Sequence, residues 1–107
     1  MKLPHVLLPA AAVAALGAFG ADAAANWSEH CAKCHGDDGR GQTKMGKKLS
    51  IADLTEAKIQ ANFTDAQAIK AMKEGVEKDG KPAMKPVEGL SEADISALVP
   101  FVRALKK

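Results

Sequence analysis

Cys31-Ala32-Lys33-Cys34-His35-Gly36 sets the terms for the rest of the chain. Two thiols two residues apart, with a histidine directly after the second, form the attachment signature of a c-type haem. One turn of helix puts Cys31 and Cys34 on the same face. Each sulfur can there add to one vinyl group, and His35 projects over the ring with a nitrogen free to bind iron.

Three plainer readings compete. A structural zinc site wants four ligands, yet the chain has no third cysteine, and its other histidines are His5 and His30. His30, next to Cys31, reads as a surface residue rather than a ligand. A redox Cys-x-x-Cys belongs in a βαβ pattern, and no strand-like alternation surrounds this one. A simple Cys31–Cys34 disulfide leaves His35 unexplained.

Outward from the motif, the chain reads as helices and turns. Asn26 to Cys34 is a first helix with Asn26 or Ser28 as N-cap, and Trp27 stands one turn before Cys31. Gly36 to Gly41 is a glycine-rich turn with no following Gly-Lys-Ser/Thr, so a phosphate loop is not indicated. Thr55 to Ala61 is a short helix. Thr64 and Gln67 form a capping box ahead of an apolar stripe of Ile69, Met72 and Val76, stopped by Gly75. In the loop from Glu77 to Gly89, Pro82 and Pro86 stiffen the backbone around Met84. A last helix begins at Ser91, with Asp94 in the capping-box place and Leu90 stapled to Ile95. Its apolar face is Ile95, Leu98, Val99, Val102 and Leu105. Pro100 interrupts this helix and predicts a kink.

Cys-x-x-Cys-His-Gly near the start, a later Met-bearing loop and a terminal amphipathic helix together resemble a small class I c-type cytochrome, over Asn26 to Lys107. The resemblance implies an all-α fold, three to four helices around one covalent haem c, with the N- and C-terminal helices crossing. It also implies that Met84 is the distal iron ligand opposite His35, with Met72 and Met45 as the alternatives. Trp27 would pack at the haem edge and against the last helix. A backbone carbonyl near Gly46-Lys47-Lys48-Leu49 would accept a hydrogen bond from His35. Lys47 stands there where the family often has proline.

Met1-Lys2, the apolar run Val6 to Phe19 and small residues before Ala23 and Ala25 read as a signal peptide over 1–25, cut after Ala25 or Ala23. The apolar run is shorter than the roughly 20 residues of a spanning helix, so the mature protein is expected to be exported, periplasmic or similar, with no stable membrane span. Cleavage leaves about 80 residues, a length that buries only roughly 60% of its unfolded surface and needs a staple. The covalent haem is that staple. A formal charge of +2 is too mild to argue for nucleic acid.

The function expected is single-electron transfer between redox partner proteins, without catalysis. Lys33, Lys81 and Lys85, extended by Lys44, Lys47 and Lys48, either ring the haem edge for partners with acidic patches or merely solubilise. The alternatives are a haem enzyme or ligand sensor with a displaceable Met, and a fixed subunit of a larger redox complex.

Overall fold

A computed structural model describes residues 22–107; most of the expected signal peptide lies outside the described residues. The backbone is helical over 22–30 (α1), then Ala32–His35 (α2), Lys44–Leu49 (α3), Ala57–Ala61 (α4), Asp65–Glu74 (α5) and Glu92–Ala104 (α6). Between α5 and α6 a two-stranded antiparallel hairpin pairs Val76–Lys78 (β1) with Lys81–Met84 (β2).

α1 is already running at residue 22, so Asn26 and Ser28 lie inside it and cap nothing. The alanines ahead of Asn26 are strong helix formers and extend the helix backwards. Its other end breaks at Cys31, whose φ of −120° is not helical.

Both capping boxes form as the spacing predicts. The Thr64 hydroxyl accepts from Gln67 N–H (3.0 Å) while the Gln67 carbonyl oxygen takes Thr64 N–H (2.8 Å). Ser91 and Asp94 do the same at α6. α5 and α6 then pack together, and the core gathers Trp27, Cys31, Met72, Ile95, Leu98, Val99 and Val102. Trp27 lies 5.4 Å from the Phe101 ring and so joins α1 to α6.

α6 runs through Pro100 without a break. The proline is exposed, as is Ser96, whose carbonyl it cannot serve, so the orphaned acceptor faces water. Val76 falls off the expected helical stripe because α5 stops at Gly75, whose φ is +79°. Val76 instead opens β1 and is exposed.

This hairpin occupies the first part of the expected loop from Glu77 to Gly89. Asp79 and Gly80 carry φ of +55° and +77°, the signature of a two-residue type I′ turn. Val76 pairs with Met84, Glu77 with Pro82 and Lys78 with Lys81. Ala83 is thereby left as the extra residue of a bulge.

A buried cross-tie holds α4 to α6. The Gln60 side-chain amide donates to the carbonyls of Leu54 (2.7 Å) and Val102 (3.0 Å). Arg103 donates to the Gln60 side-chain oxygen (2.9 Å), to Phe63 O (2.8 Å) and to the Asp65 carboxylate (3.0 Å).

Candidate functional site

A cleft of about 980 Å³ opens between two walls, one built from Cys31 to His35 and the other from the hairpin and the segment after it. Cys31, Cys34, His35 and Met84 all line it. Its size is at the top of the range, roughly 300–1,000 Å³, in which proteins hold small molecules and cofactors.

The first wall is local in sequence and heavily braced. His35 N–H donates to Cys31 O (3.0 Å) and Gly36 N–H to Ala32 O (2.8 Å), closing the single turn of α2. Trp27 Nε1 donates to Gly36 O (3.1 Å), and its ring lies 5.6 Å from that of His35. The tryptophan therefore backs His35 and joins it to α6; it does not line the cleft. Gly41 N–H donates to His35 O (2.7 Å). Thr43 uses one hydroxyl twice, donating to Cys34 O (2.6 Å) and accepting from Gly46 N–H (2.8 Å) as the N-cap of α3. α3 sits directly on this wall at Gly46, where any Cβ would fall 2.6 Å from Cys34 O and closer still to Gly41 O.

No carbonyl near Gly46 accepts from His35. Thr43 starts a helix there, and its carbonyls point along the helix to Ser50 and Ile51 N–H. His35 Nδ1 is buried without a hydrogen-bond partner. Burial also holds the imidazole below its usual pKa, in the neutral form that a metal ligand needs. The Cys31 thiol is pushed up to about 11, first by burial and then by the neighbouring Cys34. No disulfide joins Cys31 to Cys34.

The second wall is less local. Met84 ends β2, half-buried against the core and opposite Val76. Past it, Val87 N–H donates to Met72 O (2.8 Å), tying the segment back to α5.

The structure separates the other candidates. Met72 is buried in the core and does not line the cleft, whereas Met45 does, at the rim and 37% exposed. His30 is half-buried in the lining next to Cys31, with Nε2 3.1 Å from the Glu29 carboxylate. Of the six lysines expected around the edge, Lys33 and Lys85 line the cleft and Lys78 joins them; Lys44, Lys47, Lys48 and Lys81 are not in the lining. Lys78 was missed because its segment read as loop, although Asp79-Gly80 is a hairpin signal.

The residues fit a covalent haem: two cysteines one turn apart and outside any disulfide, a neutral histidine and a thioether share one large, mostly apolar cleft. Among the described residues, no group of three or more His, Cys, Asp or Glu could hold a bare metal ion. Among them too, no helix is long and apolar enough to cross a membrane.

Comparison with known proteins agrees. The family model for cytochrome c matches residues 20–106. Among solved structures, the KustC0563 c-type cytochrome is similar at 33% identity and a TM-score of 0.71, over 80% of this chain and 99% of that one. A tyrosine-to-phenylalanine mutant of Kustc0563 is similar at 32% identity and a TM-score of 0.68, over 79% of this chain and 99% of that one. No curated protein matches.

Proposed function

The chain belongs to the cytochrome c family, and on that premise we propose that it carries single electrons between redox proteins on one haem c. In this reading Cys31 and Cys34 hold the haem by thioether bonds, and His35 and Met84 are its axial ligands. The observation that carries it is the convergence of these four residues on one cleft. Bound haem supplies the one-electron Fe(III)/Fe(II) couple.

The chain does the rest. Trp27 and the Gly41 N–H fix the plane and the backbone of His35. Nδ1 is enclosed, which leaves Nε2 for the iron. Met84, a soft neutral donor, favours Fe(II) and raises the potential. With His35 and Met84 both holding the iron, no position would remain for a substrate, which would separate a carrier from an enzyme. Lys33, Lys78 and Lys85 form a cationic rim suited to partners with acidic patches. Export under the signal peptide of 1–25 belongs to the same reading.

The test is a visible spectrum of the purified haem protein and its methionine variants. Met84→Ala should lose the weak red-edge band of an Fe–S(Met) bond and should bind carbon monoxide when reduced. Met72→Leu and Met45→Leu should leave the spectrum nearly unchanged. If Met84→Ala keeps that band while Met45→Leu loses it, the distal ligand is Met45 and the assignment fails.

A further inference from the structure

We propose that Gly75, the residue that ends α5, is a positioning residue that seats Met84 at the iron; this rests on the reading of Met84 as distal ligand. Gly75 touches neither the cleft nor any candidate ligand through a side chain, since it has none. What it provides is room. The backbone of Met84 and the ring of Pro86 lie against its Cα. A Cβ built at position 75 would meet Met84 O at 2.6 Å, Pro86 Cδ at 2.9 Å and Pro86 N at 3.1 Å. Two of those three atoms are backbone, so a side chain here can be accommodated only by moving the segment that carries the thioether.

The conformation of Gly75 points the same way. Its φ of +79° and ψ of 179° lie in a region essentially reserved for glycine. This turn ends α5 and sends Val76 directly into register opposite Met84. The Val87 N–H to Met72 O bond closes the arrangement from the other side. Met84 is thus held between two attachments to the C-terminal turn of α5, one of contact and one of hydrogen bonding.

Gly80 and Gly89 supply the controls. Both have positive φ, +77° and +84°, and a Cβ at either would meet nothing within 4 Å. Gly75→Ala, Gly80→Ala and Gly89→Ala should all lower thermal stability, but only the first should loosen Met84. The assay is imidazole binding to the oxidised haem protein, because imidazole occupies iron in proportion to the population from which the thioether has left. Gly75→Ala should raise the apparent imidazole affinity about ten-fold or more and weaken the Fe–S(Met) band; Gly80→Ala and Gly89→Ala should stay within about two-fold of the parent protein. An unchanged affinity in Gly75→Ala, or an equal rise in Gly80→Ala, overturns the proposal. Met84→Ala separates the two readings. If it too leaves imidazole affinity and band untouched, the ligand assignment fails; if it alone raises the affinity, only the role of Gly75 fails. Should Gly75→Ala not assemble, Pro86→Ala removes the facing ring without adding atoms. Its affinity should rise, and an unchanged value overturns the proposal equally.

Discussion

Replacing Gln60 with leucine tests whether stability and the haem site are separable in so small a chain. Gln60 is buried, and its amide serves Leu54 O and Val102 O while its oxygen takes an N–H from Arg103. Leucine has similar bulk and none of these bonds. Val102 O keeps a second donor, Leu105 N–H at 3.1 Å, so the variant strands chiefly Leu54 O and one Arg103 N–H. Two neutral bonds at ~1 kcal/mol each and one to a charged group at ~1.5–3 kcal/mol give a gross loss of roughly 3.5–5 kcal/mol. The extra apolar burial returns about 1–2 kcal/mol. The net is about 1.5–4 kcal/mol, which for a domain of this length lowers Tm by on the order of 6–32 °C. Thermal unfolding of the haem-loaded protein by circular dichroism measures this. The visible spectrum at 25 °C should not change, because neither Gln60 nor Arg103 lines the cleft. A Tm drop below about 4 °C, equivalent to under 1 kcal/mol, would refute the view that the Gln60 side chain secures α6.

Cys31→Ala with Cys34→Ala should give a chain that releases haem into acid–acetone and is largely unfolded without it; haem retained through extraction would disprove thioether attachment. Asp53 accepts from the hydroxyl (2.6 Å) and N–H (2.8 Å) of Thr55, and these bonds hold its carboxyl below the usual value of 3.8. Its contribution is therefore complete above the unfolded pKa and is lost as pH falls through the lowered folded one. The Tm gap between parent and Asp53→Asn should be steady above about pH 5 and shrink towards pH 3; a gap independent of pH argues against that bond pair. Lys78→Glu with Lys85→Glu should slow electron transfer to an acidic redox partner at low salt, with spectrum and potential nearly intact. The parent rate should itself fall as the Debye length shrinks from roughly 30 Å at 0.01 M to 10 Å at 0.1 M. Rates indifferent to both changes would favour an apolar docking face, to which Met45 and Val76 at the cleft rim would belong.

What could be read from the sequence was what depends on neighbours in the chain. The thiols and His35 sit within one turn, and both capping boxes join residues three apart, so spacing alone announces them. Gly75 as a helix stop is equally local. The hairpin is a borderline case: Asp79-Gly80 is a turn signal, but the flanking strands carry Pro82 and several lysines in place of alternating apolar residues, so the pattern fell short. The carbonyl expected for His35 failed because Thr43, unremarked in the sequence, caps a helix where a loop was expected. Gln60 and Arg103 were invisible for a different reason. A polar residue on a short helix reads as surface until the partner from α6 is seen across more than forty positions of chain.

The two walls of the cleft differ in how they are held, and that difference bears on how the site works. The wall of His35 is fixed by bonds among residues 27 to 46, nearly all to backbone atoms, and is backed by the core through Trp27 and Cys31 and by the Phe101 ring. The wall of Met84 rests on the last turn of α5, through Gly75 and Met72 O. α5 is in turn held by α6 through core contacts that do not involve the cleft. Met72, Ile95 and Leu98 pack on one another in the core, with Met84 and Val87 against them from outside. On the proposed ligation, the proximal attachment would be covalent and local, and the distal one a single soft bond on a segment with its own anchorage. If Met84 is the ligand proposed above, such a division would let the strength of the distal bond, and with it the potential, be set through residues like Gly75 and Pro86.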